Sequence, residues 1–149
     1  MRAYLCVVIG TAIYQEREKN LKFQAIPSIV NAGLTPAHKV SFRASAAILP
    51  HPLPAGFTFP LPATTSGTSV IGPRQNITVS PAVEDFCDDS EIEGIKTGTQ
   101  GKLLYTCGVF TYEDIFGNPQ FTRFCQIYTW LADGKTTWGY YADRHNDAT

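Results

Sequence analysis

Residues 102–128, KLLYTCGVFTYEDIFGNPQFTRFCQIY, constrain this chain more than any other stretch. Two arms rich in aromatic and β-branched residues flank Asp114-Ile115-Phe116-Gly117-Asn118-Pro119, a run of turn formers. The pattern predicts two antiparallel strands, Lys102–Glu113 and Gln120–Tyr128, folded back on each other. A hairpin of this length commits the chain to a β fold. It commits it to no chemistry, because Gly, Asn and Pro serve the bend while the rings serve packing.

The remainder of the chain extends the same pattern. Ala3–Tyr14 carries Val7, Val8 and Ile9 and reads as a buried first strand; it is about half of the ~20 residues a membrane span needs. As a signal peptide it offers only one Arg and a short apolar run, a meagre match. Leu21–Val30 is a second strand in which Ile26-Pro27 demands an edge position or a bulge. Asn31-Ala32-Gly33-Leu34-Thr35-Pro36 is a loop, after which Ala37–Leu49 alternates Val40, Phe42 and Ala44 with Ser41, Arg43 and Ser45, the signature of one buried and one wet face. Five prolines make Pro50–Pro62 an extended crossover along the sandwich edge.

Short strands at Thr68–Ile71 and Asn76–Ser80 precede a capping-box pattern, Ser90-Glu91-Ile92-Glu93, which predicts one or two helical turns closed by Gly98. Trp130–Tyr141 reads as a further hairpin about Asp133-Gly134, and Ala142–Thr149 as a polar tail. The expectation is one all-β domain over residues 1–149. Its architecture is an immunoglobulin-like antiparallel β-sandwich of about seven to eight strands with one short helix.

Composition excludes several function classes. Lys plus Arg number 12 against 13 Asp plus Glu, a formal net charge of -1, so no electrostatic footprint for nucleic acid is present. Cys6, Cys87, Cys107 and Cys125 form no C-x-x-C pair, and His38, His51 and His145 are scattered; no metal and no cofactor is expected. Cys107 and Cys125 lie on the two arms of the central hairpin and are expected to be neighbours, as reduced, buried side chains rather than a bridge.

Three stretches carry a resemblance. Arg2-Ala3-Tyr4, then Asn31-Ala32-Gly33-Leu34-Thr35-Pro36-Ala37, then Tyr112-Glu113-Asp114-Ile115-Phe116-Gly117 leading to Thr122-Arg123-Phe124-Cys125, are similar to the C-terminal immunoglobulin-like domain of uncharacterised bacterial membrane-anchored proteins. The resemblance implies membrane association through an N-terminal anchor that this chain does not carry, and it lends no activity. The motif residues also have local roles. Asn31, Gly33 and Pro36 punctuate a tight connection. Asp114 can bind turn amides near Gly117, while Tyr112 buries its ring and keeps its hydroxyl wet. Arg123 can pair with Glu113 or Asp114 across the hairpin.

No G-x-S-x-G elbow, no Cys with an adjacent base and no phosphate cradle occurs, so the chain is not expected to be an enzyme. The acidic run Glu84–Glu91 lacks calcium-loop spacing and reads as a solvated helix entry. Two functions of different class remain. One is a non-catalytic interaction or structural domain whose sheet face or edge meets an unknown protein partner. The alternative is a small-ligand or glycan binder with Trp130, Trp138, Tyr140 and Tyr141 as a stacking surface.

Overall fold

The computed structural model describes residues 3–50, 66–97, 101–130, 137–142 and 146–149. The proline-rich crossover beyond Pro50, the Asp133-Gly134 bend, Gly98, His51 and His145 lie outside them. Among the described residues nine strands and one α-helix form an all-β sandwich of two antiparallel sheets. The smaller sheet has the order β1-β2-β5, with β1 at Leu5–Ile13, β2 at Gln24–Asn31 and β5 at Asn76–Thr78. The larger runs β4-β3-β6-β7-β8, with β3 at Ala37–Pro50, β4 at Ser66–Ile71, β6 at Lys102–Glu113, β7 at Pro119–Trp130 and β8 at Thr137–Tyr141. The central hairpin is continuous in register, from Leu104 opposite Tyr128 to Glu113 opposite Pro119.

Alternation along β6 and β7 dictates where the core lies. Leu104, Phe110 and Tyr112 with Phe124 and Tyr128 share the face turned toward the small sheet. There they meet Leu5, Val7 and Ile29 in one cluster and Phe23 and Ala25 in the next. Phe110 is fully buried, its ring 5.4 Å from Phe42 and 6.0 Å from Phe124; burying a ring of this size stabilises the fold by roughly 1.5–3 kcal/mol. The opposite face of the hairpin is buried as well, through Leu103, Tyr105, Cys107, Cys125 and Ile127. Both faces of β6 and β7 therefore read as apolar, as a central strand pair requires.

Pro27 takes the bulge alternative and not the edge one. Its strand is the middle of the small sheet, and the register of β1 against β2 slips between Val8 and Thr11, opposite Ile26-Pro27. Gly10 occupies that slip because a Cβ there would run into the Ile26 carbonyl.

Three expectations need correction. The helix, α1 at Asp89–Thr97, begins two residues earlier than a Ser90 cap would start it and is longer than two turns. Glu91 donates its amide to the Asp88 carbonyl, so Ser90 lies inside the first turn. The polar tail ends in a ninth strand, β9 at Asp147–Ala148, paired with Thr122 and Arg123 of β7. Asn146 anchors it, accepting from the Cys125 amide and donating to the Cys125 carbonyl. Those bonds also show that the backbone of Cys125 points away from β6. Cys107 and Cys125 thus face each other as a non-hydrogen-bonded pair, where side chains approach most closely. They are disulfide-linked, with Cα atoms 4.1 Å apart, and not reduced.

Candidate functional site

The unpaired edge of β1 closes onto the large sheet through side chains. Leu5 donates its amide to the Tyr112 hydroxyl at 3.3 Å and accepts from the Thr122 hydroxyl at 2.7 Å. Two residues on, the Val7 carbonyl accepts from Gln126 Nε2 at 3.4 Å and from the Tyr141 hydroxyl at 2.6 Å. Gly10 donates to the Tyr128 hydroxyl at 3.1 Å, which itself donates to Gln126 Oε1 at 2.8 Å. An edge strand normally presents these groups to solvent or to another chain; here polar side chains on inward positions of β6 and β7, with Tyr141 of β8, consume them. The Tyr112 hydroxyl is therefore buried in the seam and not wet.

This seam titrates at high pH. Burial pushes the Tyr128 hydroxyl up to about 12 and raises Tyr141 in the same direction. Tyr128 keeps in the fold a proton that the unfolded chain sheds near pH 10. Its stabilising contribution is intact below about pH 10 and is lost as pH rises toward 12. Urea titrations between pH 9 and 12 should show wild type losing roughly 2 kcal/mol more than Tyr128→Phe. Parallel pH profiles for the two proteins would remove Tyr128 from this account.

Of the four aromatic residues proposed as a stacking surface, Trp130 offers no free face. Trp130 is 5% exposed, held edge-on against Tyr14 at 6.1 Å and tilted against Phe23 at 5.7 Å. Tyr140 is half-buried against the outer-face cluster, and Tyr141 is exposed on its ring but tied to Val7. Trp138 lies on β8 opposite Thr129, and its side chain is outside the described residues.

The motif residues serve turns and loops. Asn31 is fully buried and uses all its side-chain capacity: Oδ1 accepts from the amides of Tyr4 and Gly33, and Nδ2 donates to the carbonyls of Thr35 and Ile71. Pro36 follows directly on that loop. Asp114 accepts from the amides of Phe116 and Asn118, which hold its carboxyl below the ordinary range against a cost of burial. Gly117 supplies the positive φ of 79° that the bend needs. Arg123 bonds Asp147 of β9 at 2.6 Å, not Glu113 or Asp114. Glu113 pairs instead with Lys39 at 3.3 Å.

The connections Asn31 and Asp114 organise lie at one pole, which exposes several large apolar side chains beside the Lys39–Glu113 pair. Leu34 is 63% exposed, Val70 59%, Ile115 46%, Phe116 71% and Tyr4 41%. The topology makes them neighbours. The end of β6 meets the start of β3 through His38 and Glu113, β4 ends beside Ala37, and Asn31 ties Tyr4, the Leu34 loop and Ile71 together. Val70 and Ile115 line one hollow of about 400 Å³ with His38 and Asp114. His38 and Asp114 share that hollow without a hydrogen bond between them, and the Asp114 oxygens are engaged by the turn and Gln120. No acid–base pair results. Among the described residues no cluster of His, Cys, Asp and Glu could hold a metal ion, and no helix is long and apolar enough to cross a membrane.

Scans of protein-family models, of curated proteins and of solved structures find nothing that matches this chain.

Proposed function

We propose that the chain is a non-catalytic interaction domain that binds a protein partner through the pole built by Leu34, Val70, Ile115 and Phe116. The observation that carries this reading is the exposure of those four large apolar side chains, contributed by two connections and the end of β4, with buried polar hubs holding the two connections in place. Single exposed apolar residues are ordinary; several gathered on rigid turns are the composition of a binding surface. Phe116, the most exposed, is the anchor such a surface would insert into a partner pocket.

An immunoglobulin-like connectivity suits the role. Strands one, two and five facing strands four, three, six and seven is the arrangement in which connections gather at the two ends of a sandwich, free to vary while the sheets stay fixed. The disulfide supports display on the oxidising side of a membrane, which fits a domain carried on an anchor.

The test is site-specific photocrosslinking in the cells that express the gene. A photoreactive residue at position 116 should give one discrete protein adduct, lost when Leu34→Asp and Val70→Asp are added. The same probe at Thr78, on the solvent side of β5, should give none. Equal adducts from both positions would overturn the assignment of this pole.

A further inference from the structure

The small sheet carries a motif that the pole of Leu34 and Phe116 does not use. Asn76-Ile77-Thr78 has the pattern Asn-x-Thr with no proline at its centre, and Asn76 alone among the asparagines of the chain has Ser or Thr two residues later. That pattern is the acceptor for N-linked sugar. Three residues recur by chance, so their place in the fold decides.

The motif is the whole of β5. Strand alternation divides it between two faces: Ile77 packs against the cluster of Leu5 and Ile29, whereas Asn76 and Thr78 are both exposed on the solvent side. Their cross-strand neighbours are Val30 and Ser28, and among the described residues nothing hydrogen-bonds the Asn76 carboxamide. Asn31 and Asn146, by contrast, spend theirs on backbone groups inside the fold. The acceptor nitrogen and the hydroxyl two residues on therefore stand free along one extended segment.

We infer that Asn76 is an N-glycosylation site. The inference rests on the oxidising compartment read from the Cys107–Cys125 bond, because N-linked sugar belongs to proteins that pass through such compartments. The donor is an oligosaccharide carried on a lipid diphosphate. Nδ2 of Asn76 attacks its anomeric carbon; the C–N bond forms as the C–O bond to the diphosphate breaks. The lipid diphosphate leaves with that electron pair, and the amide proton passes to a base of the transferring enzyme. Nothing is oxidised or reduced. The folded domain holds the product without rearrangement, since the carboxamide gives up no internal bond. Asn76 and Val70 line one hollow of about 440 Å³ with Arg74 and Gln75, so the sugar stands at the rim of the proposed partner surface and bounds it on the β5 side.

The test is mass spectrometry of the full chain isolated from the cells that express the gene. Tryptic peptide 75–96 should carry a hexosamine-containing mass at position 76. Asn76→Gln and Thr78→Ala should each abolish it, while Thr78→Ser retains it. Both Thr78 variants replace an exposed side chain and should melt within a few degrees of wild type, so loss of sugar in the alanine variant reports acceptor recognition and not a damaged strand. Thiol alkylation of the same sample reads the disulfide independently. An unmodified peptide 75–96 in protein whose Cys107 and Cys125 are bonded would overturn the inference and leave the compartment standing; an unmodified peptide with four free thiols would overturn both. A sugar that persists in Thr78→Ala would overturn it equally, because the hydroxyl would then play no part. Photocrosslinking from position 116 needs no sugar, so the partner surface stands or fails separately.

Discussion

Alanine in place of Asn31 should lower the unfolding free energy by about 3–4 kcal/mol, among the largest effects any single polar side chain here can have. The substitution removes two acceptor and two donor contacts at once: 3.2 Å from Tyr4, 2.9 Å from Gly33, and 2.9 Å each to the Thr35 and Ile71 carbonyls. Each net bond is worth about 1 kcal/mol, and the Ile71 carbonyl is left buried without that partner. Urea unfolding should register the loss, and the melting temperature should fall by about 10 °C for a chain of this length. Asn31→Asp keeps the acceptors but sets a carboxylate beside two carbonyls, so it should be no more stable than the alanine variant. A loss below about 1 kcal/mol in either protein would mean that the loop holds itself without the amide.

That loop also marks how far the sequence could be read. The Asn-Ala-Gly and Thr-Pro punctuation announces a tight connection, because turn chemistry is local and its residues are few. The central hairpin is legible for the same reason: its bend is written in Asp114 to Pro119, and Lys102–Glu113 has the predicted bounds. Asp114 behaves as its type and position indicate. What the loop's punctuation cannot show is that Asn31 reaches Ile71, forty residues away. Contacts of that kind depend on strand order, which hydrophobic alternation leaves open.

The same limit explains the other corrections. Thr122, Gln126 and Tyr128 stand on the inward face of β7, where alternation calls for apolar side chains, because the edge of β1 needs hydrogen-bond partners. Residues 147–148 look like tail by composition, yet Arg123 and the free side of β7 give them a partner. The apolar pole was present in pieces: Leu34 in one loop, Ile115 and Phe116 in another, Val70 at a strand end. Each is unremarkable alone, and only the topology turns them into a surface.

Reduction of the Cys107–Cys125 bond is the second large effect, expected to lower stability by about 3 kcal/mol for a pair separated by 18 residues. Alkylation of the denatured, unreduced protein should label two thiols, Cys6 and Cys87, and not four. Adding reductant is the sharper comparison, because it leaves both sulfur atoms in the buried outer-face cluster and removes only the link. The measured difference is then the cross-link itself, mainly the freedom restored to the unfolded chain. Cys107→Ala with Cys125→Ala should be less stable still, since it also empties part of a packed layer between Tyr105 and Ile127. If the reduced protein matched the oxidised one and only the alanine pair were weakened, the sulfurs would matter as packing atoms and not as a bond. Labelling of four thiols would restore the reading in which two small apolar side chains simply meet across neighbouring strands.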